Sequence, residues 1–382
     1  MTVEEQLSDL MRERSSAAPH DLDRAVLRAR IKARHRTRLA LSATAVIAAA
    51  LVPVVAVDWL APGPPPPLPP AASALGICVA DPQTLPAGLL LATLHQGGGL
   101  TTVGTDPAHA GALLLSVNGK VTTLPGVPPQ NSFPKVVNAS GVVAGTTNYQ
   151  PAWVVRDGHY RELPVPGWTF EVVVTGINAR GDLVGFVGDT SGQRKRALVW
   201  PAAAPGTVRE LATPDGWKST AAAITDSGVI VGELQDTATE QLSRPYRWSV
   251  DGSGTALPDP PIDPSPSSGP IAPQVHVLAA NGDWILGSRG VRWNLRTGRA
   301  DTYTAITPEL IDQQGRIYGV DGTGRPAIWV NGVVQLLTLP NTNPRGTFHF
   351  TSVDATHALG AVLTIGSDLR GTRHYTLWTC GR

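Results

Sequence analysis

The chain is poor in the residues and motifs that announce chemistry. Its 382 residues hold only two cysteines, Cys78 and Cys380. Two thiols with no further ligands beside them cannot build a metal centre, so no metal is expected. No Gly-x-Ser-x-Gly elbow, His-Glu-x-x-His helix, phosphate-binding glycine loop or Asp-x-Asp-x-Asp-Gly calcium loop occurs. The nine histidines are scattered without ligand spacing, and His159 and His374 read as ordinary residues of strands. An excess of positive charge is also missing. Residues 1–38 carry nine Lys/Arg against six Asp/Glu, which leaves 22 against 24 for the rest. That balance gives the bulk of the protein no footprint for nucleic acid.

What is present begins with one concentrated basic block. From Arg24 to Arg38 there are seven Lys/Arg and no acid, followed by nineteen uncharged residues, LALSATAVIAAALVPVVAV, at 39–57. This length matches a bilayer core, and the basic flank marks the cytoplasmic side. A cleaved signal peptide is the rival reading, but its charged region would span nearly forty residues and no clean cleavage site follows. The expectation is a single-pass protein of the cell membrane with its N-terminus inside: a cytoplasmic helical segment 1–38, a transmembrane helix 39–60, a Pro-rich linker 61–75 and an extracytoplasmic domain 76–382. Within the first segment, Thr2 and Glu5 form a capping box ahead of Leu7, Leu10 and Met11. It flanks the membrane as a positively charged stop or docks a cytosolic partner. The linker's APGPPPPLPP, at 61–70, is a stiff extended spacer. Outside the cell the two cysteines read as a disulfide. A lipoprotein site at Cys78 is disfavoured by Ile77 and by the distance to the apolar span.

Beyond the linker one pattern recurs. VVNASGVVAG (136–145), TGINARGDLVG (175–185) and AAITDSGVIVG (222–232) write the same hairpin. Asn138, Asn178, Thr225 and Asp312 open a turn whose fourth residue is Gly141, Gly181, Gly228 or Gly315, the type I preference. A second glycine falls inside the following strand, where it lets backbones pack closely or marks a bulge. Copies centre on Gly145, Gly185, Gly232, Gly287, Gly319 and Gly360, with a degenerate one at Gly104. Each then shows a short apolar strand, ending near Trp153, Trp200, Trp248, Trp293, Trp329 or Trp378 in all but the first, and a fourth strand often closing in Leu-Pro. Four short strands every forty residues or so predict an all-β propeller of seven blades, six and eight being the neighbouring counts. The fourth strand is missing from the last copy. GICVADP, at 76–82, can supply it from the other end of the chain, which would place Cys78 beside Cys380.

INARGDLVG…ALVW and ITDSGVIVG…YRW resemble the HAF-type extracellular repeats of bacterial surface and secreted proteins over most of residues 85–380. Here the eponymous His-Ala-Phe reads Pro-Ala-Trp. The N-terminal layout is similar to that of actinobacterial membrane-anchored proteins. Neither resemblance implies a settled activity. The equivalent tryptophans are expected to fill the space between blades. Trp168 and Trp217 differ: they sit in Pro/Gly loops, PVPGWTF and TPDGWKS, leading to inner strands, with Phe133 and Phe348 in related loops. These four aromatics are the candidate binding residues, on the loop face of the propeller, or else they cap blade edges. Because inner strands such as VVVTGIN and TAAAIT lack clustered acids or histidines, the chain is expected to be no enzyme. On this reading it has no catalytic residue and no cofactor, and is a monomeric binding or sensing module for an extracytoplasmic protein, peptide or glycan. The alternatives are a propeller-hosted hydrolase or lyase, a structural envelope protein, or the sensor half of a signalling pair.

Overall fold

The computed structural model describes residues 78–81, 101–106, 112–117, 120–127, 132–147, 151–239, 242–260, 275–339, 347–353, 357–365 and 371–380. All belong to one compact unit, Pro69–Arg382, the other being Met1–Leu68. The predicted cytoplasmic segment, the membrane helix 39–60 and the linker 61–75 lie outside the described residues. Among the described residues no helix is long and apolar enough to cross a membrane.

The described residues are built from strands. β1 is Val79–Asp81; β2 (Thr101–Asp106), β3 (Ala112–Val117) and β4 (Lys120–Thr123) form a sheet of three described strands. Five four-stranded meanders follow. They are β5–β8 (Ser132–Val137, Val143–Thr147, Ala152–Arg156, His159–Glu162), β9–β12 (Glu171–Ile177, Leu183–Gly188, Lys195–Trp200, Arg209–Glu210) and β13–β16 (Trp217–Ile224, Ile230–Asp236, Ser243–Trp248, Gly254–Ala256). Next come β17–β20 (Val277–Asn281, Trp284–Gly287, Val291–Asn294, Arg299–Thr302) and β21–β24 (Thr307–Ile311, Ile317–Val320, Pro326–Val330, Val333–Leu336). The sixth four-stranded sheet joins the two ends of the chain: β25 (Thr347–Val353), β26 (His357–Ile365) and β27 (Gly371–Thr379) accept β1 as their outer strand. Val79 pairs with Thr379 and Asp81 with Leu377, and Cys78 is disulfide-bonded to Cys380 across 302 residues. The strand borrowed from the N-terminal side and the covalent closure both agree with the sequence expectation.

Neighbouring sheets share their cores. Alternation along β9 buries Val172 and Val174, which pack with Leu183, Leu198 and Trp200 against Val136, Ala144 and Val154 of the preceding sheet. The opposite face of the same sheet presents Val184, Ala197 and Val199 to Ala221, Ile230 and Trp248 of the next. First strands follow one another in space in chain order, β5 on β9, β9 on β13, β13 on β17, β17 on β21 and β21 on β25. Each repeat tryptophan is buried on the third strand of its sheet. Four of them also tie their sheet to the chain just past the preceding one: the indole N–H groups of Trp200, Trp248, Trp293 and Trp378 donate to the carbonyls of Pro164, Ala212, Pro258 and Thr338.

The turns follow the sequence reading and add a contact it did not contain. Gly141, Gly181, Gly228 and Gly315 donate back to Asn138, Asn178, Thr225 and Asp312, each glycine at positive φ. The opening residues are buried, and Asn138 donates from its amide to the Asn178 carbonyl in the next sheet's turn, at 3.1 Å. Arg156 and Arg292 likewise donate to the carbonyls of Gly181 and Gly315, one sheet further on.

The second glycine of each repeat both packs closely and faces a bulge. The pairing of first and second strands slips beside Gly145, Gly185, Gly232, Gly287, Gly319 and Gly360. At Gly145, Gly185, Gly232 and Gly319 a first-strand carbonyl points at the glycine, while at Gly287 and Gly360 the Trp293 and Phe348 rings take that space. A Cβ on Gly185 would stand 2.0 Å from the Val173 oxygen, and on Gly319 1.9 Å from the Thr307 oxygen. Backbone oxygens cannot yield as a flexible side chain does. Gly185→Ala is therefore expected to cost roughly 3 kcal/mol or more, as over-packing against fixed atoms does; urea denaturation measures it. Cys380→Ser should cost about 2–5 kcal/mol through loop-closure entropy, read from the same transitions with and without reductant.

Candidate functional site

The bulge makes the first strand of each sheet special. The residue facing the repeat glycine is Pro134, Val174, Ala221, Val277, Pro308 or Phe350. Immediately before it, at equivalent places, stand Phe133, Val173, Thr220, His276, Thr307 and His349, all exposed or half-buried. One residue after it is the bulge, and two bulge residues bridge to the next first strand. Thr175 donates to the Ala221 carbonyl at 2.8 Å. Glu309 accepts the Phe350 N–H at 2.5 Å and the His349 Nδ1 at 2.6 Å. A hydroxyl and a carboxylate thus occupy the same place in two repeats and hold the residue opposite the glycine.

His276 is clasped in the same way by a carboxylate from a different strand. Glu233 of β14 accepts the Val277 N–H on Oε1, and His276 Nδ1 and the Ser243 hydroxyl on Oε2, each at 2.9 Å. A carboxylate only accepts, so Nδ1 carries the proton and Nε2 of the neutral ring is left as the basic nitrogen. Glu233, Ser243 and His276 border a cavity of about 150 Å³, completed by Lys195, Lys218, Thr220 and Gln235. Lys218 is 3 % exposed and donates to the Gly192 carbonyl at 2.9 Å in the loop of the preceding sheet. Lys195 runs past the Phe186 ring, 5.4 Å from its centroid.

Serine, histidine and glutamate therefore meet here, but not as a nucleophilic triad. In a triad the serine oxygen gives its proton to the imidazole, whose far nitrogen faces the acid. In this cavity both the hydroxyl and the imidazole donate to one carboxylate oxygen. The arrangement fits a carboxylate-oriented histidine base with two ammonium groups nearby. Other carboxylates at this end are held by their own loops. Asp236 titrates below the ordinary carboxylate range because the Thr239 hydroxyl and the N–H groups of Ala238 and Thr239 bond to it. For Asp189 burial is the largest single influence and raises the pKa, but the Ser191 hydroxyl and the N–H groups of Arg194, Gly192 and Gln193 together outweigh it, and the pKa falls.

The four predicted aromatics divide. Trp168 lies in its loop with Arg194 stacked 3.8 Å over the ring, and its N–H donates to Glu210 at 3.2 Å. Trp217 opens β13 with Arg244 5.6 Å over its ring. Both are half-buried. Phe133 belongs to β5 rather than to a loop and is 45 % exposed. Phe348 is a correction: it lies in β25, 4 % exposed, edge-on to Phe350 and Trp378. Gly360 has no side chain, and the Phe348 ring fills that space, so Phe348 belongs to the core. His159 borders a separate cleft of about 240 Å³ with Arg156, Arg161 and Trp200.

Sequence reasoning missed His276, Glu233, His349 and Glu309. The signal was present: each histidine stands eleven residues before its repeat glycine, Gly287 or Gly360. Inner strands without clustered acids or histidines were expected, and in the structure β21 carries Glu309, β25 carries His349 and His276 abuts β17.

No protein-family model and no curated protein matches the chain. Solved structures do resemble it. Puromycin hydrolase, as its S511A mutant complexed with PGG, aligns with a TM-score of 0.50 and 17 % identity, over 76 % of this chain and 52 % of that one. A prolyl endopeptidase from a study of inter-domain dynamics in catalysis and specificity gives 0.51 and 15 %, over 74 % and 46 %. The Dos1 propeller aligns at 0.39 and 10 %, over 76 % and 82 %. The chain thus spans about half the length of the two enzymes. At such identities the likeness speaks for the fold, that of a β-propeller. It also overturns the expectation that the chain is no enzyme. That expectation rested on the lack of catalytic motifs and of clustered acids or histidines on inner strands, whereas among the structural neighbours are hydrolytic enzymes with propeller domains.

Replacing Glu233 by Ala leaves the Val277 N–H, the Ser243 hydroxyl and the imidazole without their shared acceptor. The expected cost is about 1–3 kcal/mol, measured by denaturation. Loss of the Nδ1 tautomer preference of His276 in nitrogen NMR checks the same contact directly.

Proposed function

We propose that the chain is a seven-bladed propeller hosting hydrolytic chemistry at the end where Lys195, Lys218 and His276 meet. Seven blades are supported by six four-stranded sheets, the three described strands β2–β4 and the succession of first strands. The observation that carries the chemistry is His276, oriented through Nδ1 by Glu233 on the rim of a cavity holding two lysines. Its Nε2 takes a proton from water as the water oxygen adds to a carbonyl carbon, and returns it to the leaving nitrogen as the carbon–nitrogen bond breaks. Glu233 stabilises the imidazolium formed between the two steps. The lysine charge favours the oxyanion that develops on the carbonyl. Amide substrates are the first choice because the structural neighbours include a puromycin hydrolase and prolyl endopeptidases. Trp168 and Trp217, at the same end, supply contact surface for the rest of a peptide-like substrate.

The disulfide supports an oxidising compartment. With the apolar span 39–57 behind its basic block, it supports a membrane-tethered, extracytoplasmic placement. The HAF-type resemblance is compatible with that placement.

The test is turnover of puromycin, prolyl-peptide anilides and ester analogues by the full chain. His276→Ala should lower kcat/KM by roughly 100-fold or more, the scale of a lost general base, with only the small fall in melting temperature that loss of one hydrogen bond to Glu233 implies. The double replacement Trp168→Ala, Trp217→Ala should raise KM more than it lowers kcat. Turnover that is no faster than buffer, or that survives His276→Ala intact, would remove this reading.

A further inference from the structure

We propose that the cleft between sheets β5–β8 and β9–β12 is a second binding site, shaped for a small carboxylic acid with an apolar body. It goes beyond the hydrolytic reading and does not depend on it. The cleft reaches Gly181, in the turn that follows β9, whereas His276 stands just before β17. The two sites therefore lie at opposite ends of their first strands. The floor of the cleft is apolar and already packed: Val154, Leu183 and Trp200 border it and belong to the core shared by the two sheets. Leu163 and three prolines, Pro164, Pro201 and Pro205, add apolar wall, and proline brings no N–H to it. Loop 201–207 is held by its own bonds. The Ala202 N–H donates to Asp182, the Ala204 N–H to the Pro201 carbonyl and the Thr207 N–H to the Ala204 carbonyl. A wall fixed in advance lowers the ordering cost of binding.

Basic side chains gather over this floor. In the pairing of β7 with β8, Val154 stands opposite Arg161 and Arg156 opposite His159. Directly paired residues share a face, and so do alternate residues of one strand. Arg156, His159 and Arg161 therefore lie on the face whose Val154 packs with Leu183 and Trp200. Glu162, which also borders the cleft, pairs with Trp153 on the other face. Its charge is felt there by Tyr160, whose pKa is raised by burial and then by Glu162. That leaves Asp157, in the turn between the two strands, as the acid on the cleft side among the described lining residues. Arg156 is tethered by its bond to the Gly181 carbonyl at 3.0 Å. Among the described residues the side chains of Arg161 and His159 form no hydrogen bond or ion pair. A carboxylate can take charge-assisted bonds from these groups while its apolar body rests on the floor. The volume of about 240 Å³ falls just under the roughly 300–1,000 Å³ of pockets for drug-sized ligands, which suits one ring and a short chain.

The experiment titrates the full chain with phenylacetate, phenylacetamide and phenethylamine by calorimetry and follows the Trp200 indole N–H by NMR. Phenylacetate is expected to bind at millimolar concentration and to shift that resonance. The neutral amide and the amine should bind about tenfold more weakly or worse, because neither offers a carboxylate to the basic groups. Arg161→Met should weaken phenylacetate binding about tenfold, as loss of a charge-assisted contact implies. Arg161 is exposed on an outer strand, so this variant should fold; a thermal melt of the unliganded protein verifies it, and His159→Gln takes its place if it does not. The proposal is overturned if phenylacetate fails to bind at millimolar concentration or binds without moving the Trp200 resonance. Equal or tighter binding of the amide or the amine, or wild-type affinity in the folded Arg161→Met, overturns it as well. None of these outcomes bears on turnover at His276, so the two readings stand or fall separately.

Discussion

Each sheet here has two apolar faces and no core of its own. β9–β12 gives one face to the sheet before it and the other to the sheet after it. Such a sheet exposes a full apolar surface wherever its neighbour is missing, so the stack is stable only when it closes on itself. Closure is the constraint from which the rest follows. It explains why β1 is taken from the far end of the chain to finish the sheet begun by β25, and why the two cysteines sit at that junction. It also explains the traffic between sheets: the tryptophan N–H groups, the Asn138 amide and the Arg156 and Arg292 guanidiniums each reach one unit away.

Closure around an axis crowds the first strands, and the repeat glycine belongs to that crowding. Next to it a first-strand carbonyl, in four repeats, or an aromatic ring, in the two at Gly287 and Gly360, occupies space that a Cβ would need, and the slip in pairing inserts one extra residue. A bulge re-aims side chains and leaves them outside the regular ladder. The extra residue is where Thr175 and Glu309 cross to the neighbouring strand. The same local distortion that lets the sheets fit together therefore frees the extra residue to reach the next sheet. Two residues before it, at equivalent places, four repeats hold apolar or hydroxyl residues and two hold histidine.

How legible this was differs between backbone and site. The sheets, their order, the turn glycines and the buried tryptophans were readable because each rests on a recurring pattern and on residues whose preferences are steep, Gly at positive φ and Trp in a core; the joined ends were readable from the chain's two cysteines, which form the disulfide. The site was not readable in the same way. Glu233 and His276 are 43 residues apart and meet only because successive sheets pack face to face. No short motif records such a meeting. Phe348 and Trp168 both looked like loop aromatics. They differ because one faces Gly360, whose missing side chain admits a ring, and the other lies under Arg194.

Two histidines at one repeat position, each clasped by a glutamate, raise the question of whether the clasp is structural or chemical. The comparison within the molecule separates the parts. In both cases the carboxylate receives the imidazole Nδ1 and the following backbone N–H, which fixes the start of a first strand against the sheet before it. That shared geometry is the architectural role. The differences lie around it: His276 borders a cavity with Lys195 and Lys218, and its glutamate also takes the Ser243 hydroxyl. A clasp required by closure thus comes with an oriented base as a by-product of its geometry. Only where the neighbouring sheets also contribute positive charge and open space does that base have anything on which to act.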